Sequence, residues 1–464
     1  MLFSSVFFLF TFLPIVLLIY NILPKNKKNL FLFISSLFFY AWGEPIYVLI
    51  MIFSTFFDYT VGRLIEKNDD NNKKRKLLLI LSVVVNLGML FVFKYSDFAI
   101  FNINNMLNLN IPLLGLSLPI GISFYTFQTM SYTIDVYLRK VKAQHDIIAF
   151  GTYVALFPQL IAGPIVRYIT VEKEINSRKQ SINLFADGVT RFIQGLGKKV
   201  IIANTLGAVW ADIKITSLND LVFLDSWIGI ICFALQIYFD FSGYSDMAIG
   251  LGKMFGFKFL ENFNYPYISK SITEFWRRWH ISLSSWFKEY VYIPLGGNKY
   301  GILKQLRNIV IVWLLTGFWH GAEWNFIMWG VYFASILIIE KLFLYKVLEK
   351  LPKIICHIYS LILILIGWVL FEFSDVNLII SYVKEMFTYD SKLISNIGLY
   401  TINSNYIFII LGLILATPLP NKIFNKLQDS KFKYINAVVL LITFITSIAF
   451  LVDSTYNPFL YFRF

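Results

Sequence analysis

Charged side chains are scarce in this sequence. Asp, Glu, Lys and Arg make up 15% of its 464 residues, whereas soluble proteins carry about 25%. Apolar residues reach 57% and aromatic residues 18%. This composition excludes a series of soluble domains. It predicts an all-α polytopic membrane protein whose residues 1–464 form a single integral-membrane domain in a lipid bilayer.

Cysteines and metal-binding patterns are also scarce. The two cysteines, Cys232 and Cys356, lie in apolar segments, which is typical of buried free thiols rather than of a disulfide. The sequence contains no HxxxH or CxxC pattern and no acidic cluster. We therefore expect no bound metal.

Acidic residues are fewer than basic residues in this sequence. There are 41 Lys and Arg against 28 Asp and Glu, a formal net charge of +13. The basic residues lie in short breaks beside apolar runs, which indicates cytoplasmic loops and not nucleic-acid binding. The breaks at 43–45 and 102–110 lack positive charge, so we place them outside together with the N-terminus. The basic breaks that we place in the cytoplasm are 25–28, 73–76, 139–142, 178–179, 198–199 and 422–433.

Long apolar segments fill most of the remaining sequence. Residues 1–20 lack a basic leader and a cleavage site, so we interpret them as part of a retained first span. The segment 148–165 is short and contains Pro158 and Pro164, which favours a re-entrant hairpin. We expect about eleven to thirteen transmembrane or re-entrant helices. Their predicted positions are 4–22, 29–43, 46–65, 77–97, 112–136, 148–165, 185–213, 224–250, 308–320, 323–340, 354–371, 404–418 and 435–452.

One histidine stands in the middle of an apolar, aromatic segment. His320 lies between Trp319 and Gly321, and no charged residue occurs between Arg307 and Glu323. The 12 steps from residue 308 to residue 320 correspond to about 18 Å of helix, in a hydrocarbon core about 30 Å thick. His320 is therefore predicted to lie inside the membrane, at the tip of two converging segments. An ionisable group at that depth indicates a functional site.

Residues 265–330 form the region with the highest density of candidate functional residues. Ser271 and Glu274 have the spacing of a capping box, which predicts a helix start. If that helix continues, Trp276 and His280 share one face with Leu283. The arginines Arg277 and Arg278, together with Lys288, point elsewhere. Two interpretations remain open for this basic, aromatic segment: a membrane anchor, or the wall of a pocket that binds an anionic phosphate.

Two carboxylates interrupt an earlier apolar run. Asp240 and Asp246 lie six residues apart, with Tyr244 between them. Buried carboxylates need partners, and we expect these to be Arg277, Arg278 or the two histidines. We predict a structural ion pair for Asp246. For Asp240, two roles remain open: orienting a histidine, or a structural contact.

Several motifs in this chain resemble those of the membrane-bound O-acyltransferases (MBOAT). Within that family the resemblance is to the bacterial AlgI/PatA-type polysaccharide O-acetyltransferases, and more distantly to DltB-type teichoic acid D-alanylation proteins. The resemblance runs nearly end to end. The segments that carry it are 1–5, 12–14, 40–42, 119–128, 157–164, 240–246, Phe275–Ser284 and Phe318–Gly321.

The resemblance implies a fold, a reaction and a set of site residues. The fold is a ring of membrane helices around a central tunnel. The reaction passes an acetyl group from a cytoplasmic thioester donor, acetyl-CoA, to a hydroxyl of a cell-surface polysaccharide or of an extracytoplasmic partner protein, in the bacterial inner membrane. His320 is then the catalytic residue, and our hypothesis for it is general-base action. His280 is the second catalytic candidate, and three roles remain open for it: orienting the thioester, which we favour, polarising its carbonyl, or carrying the acyl group transiently. The expected substrate-binding residues are Trp276, Arg277, Arg278, Trp279, Asp240, Tyr244, Trp319 and Asn325.

Two other functions remain open from the sequence. One is D-alanyl transfer from a carrier protein to teichoic acid. The other is a non-enzymatic transporter, because histidines, carboxylates and broken helices inside a membrane also suit a proton-coupled carrier.

Overall fold

The computed structural model describes residues 1–161, 163–215, 222–389, 392–428, 432–453 and 460. All regular secondary structure in these residues is helical. By contacts, the chain divides into two compact units. Unit 1 comprises Met1–Phe192 and Ser245–Glu261, and unit 2 comprises Ile193–Tyr244 and Asn262–Phe464.

The α-helices that begin in unit 1 are numbered in chain order. They are α1 Leu13–Ile22, α2 Lys28–Ala41, α3 Val48–Lys67, α4 Asn72–Leu90, α5 Ser96–Leu107, α6 Ile122–Tyr137, α7 Ile147–Ala155, α8 Phe157–Leu160, α9 Tyr168–Asn176 and α10 Ile182–Gly197.

The helices that begin in unit 2 continue this numbering. They are α11 Asn204–Ile215, α12 Phe223–Met254, α13 Ile272–Arg278, α14 Ile281–Phe287, α15 Ile302–His320, α16 Trp324–Ile339, α17 Tyr345–Leu348, α18 Lys353–Glu372, α19 Val376–Phe387, α20 Asn396–Leu415, α21 Leu419–Gln428 and α22 Lys433–Asp453. Short π-helical turns join several of them end to end.

Eight helices of the described residues are long and apolar enough to cross a membrane. They are 48–67, 72–107, 223–254, 302–320, 324–348, 353–372, 396–415 and 434–453. Many of their apolar side chains are exposed at the protein surface, as expected where lipid rather than protein covers them. The chain is therefore a multi-pass membrane protein, as its composition predicts.

The predicted span 112–136 is wrong at its start. α6 begins only at Ile122, and residues 109–121 are not helical. Pro112 and Pro119 oppose helix in this stretch, and Gly115 and Gly121 adopt φ angles of 60° and 75°. These left-handed conformations end a right-handed helix.

The break predicted at 198–199 is also wrong, because the chain there is helical. Residues 198–203 form a π-helical turn that joins α10 to α11 without a loop. Lys199 is buried, and its ammonium lies 2.5 Å from Oδ1 of Asp240. A charge-count rule cannot distinguish a buried, paired lysine from one in a cytoplasmic loop.

Candidate functional site

His320 lies at the tip of a helical hairpin in unit 2. It is the last residue of α15; Gly321 is extended, and α16 begins at Trp324. Close packing of the two helices depends on glycine. A Cβ on Gly330 would lie 2.5 Å from the carbonyl oxygen of Trp313, and one on Gly317 would collide with the carbonyl oxygen of Phe326. The hairpin predicted from the sequence is therefore present, and glycines hold its two helices in contact.

The ring of His320 is buried and oriented by the backbone. Only 5% of the residue is exposed, and Nδ1 lies 2.7 Å from the carbonyl oxygen of Thr316, one helical turn earlier. A carbonyl oxygen can only accept, so Nδ1 carries the hydrogen. In the neutral ring the lone pair then resides on Nε2, the atom that can accept a proton from a substrate.

Aromatic rings surround His320. Its ring centroid lies 5.0 Å from those of Trp319 and Trp329 and 5.6 Å from that of Phe371. A general base must be uncharged before it can take a proton, and these rings form the immediate surroundings of the proposed base.

His280 is held differently from the sequence prediction. The continuous helix expected to carry Trp276, His280 and Leu283 on one face is broken, because α13 ends at Arg278 and His280 has a left-handed φ of 44°. His280 caps α14: its Nδ1 lies 3.4 Å from the backbone nitrogen of Leu283 and 3.2 Å from Oδ1 of Asn262. Capping and the contact with Asn262 therefore fix the ring at a turn between two short helices.

The two histidines are close enough to influence each other. His280 lies outside the eight membrane-length helices and is 2% exposed. Burial lowers its pKa well below the usual value, and His320 lowers this pKa further. The ring of Trp319 contacts both, with centroids 6.0 Å from His280 and 5.0 Å from His320. The structure thus brings His280, Trp319 and His320 together.

A wall of indole rings extends from His320 towards α13. The Trp329 ring lies 5.4 Å from that of Trp276, which in turn lies 4.6 Å from that of Trp313. The indole nitrogens of Trp276 and Trp329 are buried, and within the described residues neither has a hydrogen-bond acceptor. These two N–H groups are chemically suited to receive a substrate oxygen.

Asn325 lies one helical turn before Trp329 on α16. Its amide nitrogen donates to the carbonyl of Phe371 at 3.1 Å, and its buried Oδ1 has no donor within the described part of the chain. Asn325 is among the site residues predicted from the sequence, whereas Trp329 is not. The spacing of four residues on one helix would have placed both on the same face.

Trp279, Arg277 and Arg278 have unequal surroundings. Trp279 is buried in an aromatic cluster, with ring centroids 4.9 Å from Trp368 and 5.1 Å from Phe263. Arg278 forms an ion pair with Glu274 at 2.8 Å, whereas Arg277 is exposed. Trp279 therefore has a packing role, and Arg277 is the arginine of the pair whose charge faces outward.

The partners predicted for the two carboxylates are wrong. Asp240 pairs with Lys199 and also accepts a hydrogen bond from the backbone nitrogen of Leu460 at 2.8 Å. Asp246, in unit 1, pairs with Arg191 at 2.6 Å. Neighbouring residues in the sequence do not indicate these pairs, because the basic partners lie 41 and 55 positions away from the carboxylates.

Tyr244, the two cysteines and the other two histidines of the chain have separate surroundings. Tyr244 is buried in unit 2, and both cysteines are buried free thiols. His145 pairs with Glu66 at 2.7 Å, and Nδ1 of His357 donates to the carbonyl of Ser269 at 3.1 Å. The last two histidines therefore have local partners of their own.

Comparison with known proteins identifies relatives over most of the chain. A family model described as MBOAT, membrane-bound O-acyltransferase family, matches residues 45–374. The probable alginate O-acetylase AlgI of Pseudomonas aeruginosa is 42% identical over 402 residues, which cover 86% of this chain and 77% of that protein. The peptidoglycan O-acetyltransferase of Helicobacter pylori is 35% identical over 421 residues, covering 83% and 80%. The teichoic acid D-alanyltransferase of Bacillus subtilis is 28% identical over 228 residues, covering 47% and 58%.

Proposed function

Because this chain belongs to the membrane-bound O-acyltransferase family, we propose that it passes an acetyl group from cytoplasmic acetyl-CoA to a hydroxyl on the outer side of the membrane. The hydroxyl belongs to a cell-surface polysaccharide or to an extracytoplasmic partner protein. Support comes from relatives named for alginate and peptidoglycan O-acetylation, which align over more than four fifths of the chain. The setting is the inner membrane of a bacterium, with the N-terminus outside.

The proposed base is His320. The hydrogen bond from Nδ1 to the Thr316 carbonyl leaves the lone pair on Nε2. This observation is the main support for His320 as the general base. As the hydroxyl oxygen attacks the thioester carbonyl carbon, Nε2 takes the hydroxyl proton. When the tetrahedral intermediate collapses, the C–S bond breaks and the departing thiolate of CoA takes that proton from the imidazolium. The ring is then neutral again.

The indole N–H groups of Trp329 and Trp276 are the proposed donors to the oxyanion. They are buried and lack an acceptor in the described residues, and they lie on the aromatic wall beside His320. Negative charge that develops on the carbonyl oxygen is stabilised most by donors that are already in place. Asn325, Trp319 and His280 complete this group as positioning residues.

The phosphates of the donor require basic groups at the cytoplasmic entrance. Arg277 and Lys288 are exposed and are our first candidates. Arg278 is less suited because Glu274 already neutralises it. Asp240 and Tyr244 remain proposed contributors to the substrate region through the packing of α12 and not through direct contact with the donor.

Membership in an acyltransferase family also decides against the transporter. D-alanyl transfer remains the second candidate function, since a D-alanyltransferase aligns with about half of this chain. Supplying purified protein with acetyl-CoA or with a D-alanyl carrier protein distinguishes the two, because only the true donor releases its thiol.

The central mutation is His320→Ala. We expect thiol release from acetyl-CoA in the presence of a hydroxyl acceptor to fall by about 10²–10⁴-fold, with little change in thermal stability. His357→Ala is the matched control, since it removes a histidine from another helix of unit 2, and it should retain near wild-type turnover. Near wild-type turnover by His320→Ala would refute the proposed base.

A further inference from the structure

Two basic segments that are far apart in the sequence meet in unit 1. Lys28 begins α2, and Arg178 follows α9. Both cations contact the same ring: the Lys28 ammonium lies 4.5 Å and the Arg178 guanidinium carbon 5.6 Å from the centroid of Tyr20. The sequence predicts both basic breaks on the cytoplasmic side, and their proximity in the structure agrees with a shared side.

The Arg178 side chain is held in a fixed orientation. Nε donates to the hydroxyl of Tyr20 at 2.7 Å, and Nη1 donates to Oδ1 of Asn29 at 2.6 Å. On its other side the guanidinium lies 4.7 Å from the ring centroid of Phe257. Its remaining nitrogen, Nη2, is buried and has no acceptor within the described residues.

Gly256 supports the loop that carries Arg178. Its φ is 88°, and a Cβ there would lie 3.3 Å from the carbonyl oxygen of Lys179 and 3.5 Å from Cδ of Arg178. The loop therefore packs directly on residues 255–258. Backbone and side-chain contacts therefore define the position of the loop that carries Arg178.

Within the described residues, no carboxylate pairs with Lys28 or Arg178. In the described part of the chain, the partners of Arg178 are neutral oxygens, and Lys28 donates to Oε1 of Gln180. Burial lowers the pKa of Lys28, and the charges of Arg178 and Lys25 lower it further. The two like charges beside one ring repel each other, and an anion between or beside them would relieve this repulsion.

We infer that Lys28 and Arg178 form a binding site for a phosphate group. A guanidinium with one free N–H edge and an ammonium beside it are the donors that bind phosphate oxygens most strongly. The phosphate belongs either to the headgroup of an anionic lipid in the cytoplasmic leaflet, which attracts basic segments next to a membrane, or to a soluble phosphate. The site does not rest on the proposed acetyl transfer.

The test measures the melting temperature of the full-length protein in two arms. In the first, inorganic phosphate is titrated into detergent-solubilised protein at constant ionic strength, with chloride as the reference anion. In the second, the protein is placed in nanodiscs of phosphatidylcholine with or without phosphatidylglycerol. A rise in the first arm identifies a soluble phosphate, and a rise in the second arm alone identifies a lipid headgroup.

The variants separate a specific site from general attraction. Lys28→Met keeps the apolar stem and removes the charge, and it should weaken binding by about tenfold, the effect of losing one charge-assisted hydrogen bond. Lys25→Met removes an exposed charge nearby and should bind like the wild type. Arg178→Lys tests the second cation while keeping its charge, and it should also weaken binding.

Two results would overturn the site. One is a melting temperature that responds to phosphate and phosphatidylglycerol no more than to chloride and phosphatidylcholine. The other is an equal response of Lys28→Met and Lys25→Met, which would show that only the net charge of the surface matters.

Discussion

At the scale of single residues, the sequence correctly predicted that His320 lies at the tip of two converging helices. An ionisable group in an apolar, aromatic run has few explanations other than function. The tautomer was not predictable, because it depends on the contact between Nδ1 and the Thr316 carbonyl. The role of His320 as the base stays a prediction until transfer is measured.

Partners of buried charges were the residues that the sequence could not predict. Asp240 pairs with Lys199 and Asp246 with Arg191. In the sequence, Lys199 looks like part of a cytoplasmic loop and Arg191 like a residue on the surface of a helix. Such pairs depend on which helix faces pack against each other, and helical periodicity alone does not determine which faces these are.

A first prediction at this scale concerns Trp329. Trp329→Phe removes the indole N–H but keeps an aromatic ring beside His320, so we expect kcat to fall by about 10²-fold or more, as when an oxyanion donor is lost. KM for acetyl-CoA and the melting temperature should change little. Trp313→Phe, in the same aromatic wall, is the matched control. Equal kcat values for the two variants would show that the N–H of Trp329 does not contact the reacting oxygen.

A second prediction concerns the buried pair of Asp240 and Lys199. Asp240→Asn leaves the Lys199 charge uncompensated, at a cost of about 3–5 kcal/mol, so the melting temperature should fall strongly. The double variant Asp240→Asn with Lys199→Met should recover much of the loss, since it removes both charges. If Asp240→Asn instead melts like the wild type and loses only turnover, Asp240 acts on the substrate and not on stability.

At the scale of elements, one carboxylate holds the start of α13. Glu340, buried on the π-helical turn after α16, accepts hydrogen bonds from the backbone nitrogens of Ile272 and Thr273 at 2.7 and 2.8 Å. A negative charge is favourable at a helix N-terminus. The capping box of Ser271 and Glu274 was predicted, and Ser271 does cap the helix. The second cap by Glu340 comes from 68 residues away and left no local signal.

This cap supports a prediction about α13. Glu340→Gln should weaken the charge-assisted hydrogen bonds and lower stability by about 2 kcal/mol. Because α13 carries Trp276, kcat should fall as well, although Glu340 does not contact the substrate. Glu349→Gln changes an exposed glutamate nearby and serves as the control. Unchanged melting and turnover in Glu340→Gln would show that Ser271 alone suffices to hold the helix.

At the scale of the whole molecule, apolar run length predicted most of the membrane-length helices. It failed where local backbone chemistry overrides hydropathy, as in residues 109–121. At 198–199 the run-length prediction of a segment 185–213 agrees with the helix, and the counting of basic residues failed. Run length also missed α19, a 12-residue helix from Val376 to Phe387. A short amphipathic helix lacks the long continuous apolar run by which membrane spans are predicted. The ring and tunnel implied by the family resemblance stay a prediction.

The most direct test of the account follows acetyl groups across the membrane. Right-side-out vesicles from bacteria that make this chain are loaded with labelled acetyl-CoA, and base-labile label on the outer surface polymer is measured. We predict label outside with the wild-type chain and with His357→Ala, and none above background with His320→Ala present at equal amounts. Equal surface label with His320→Ala would contradict the account.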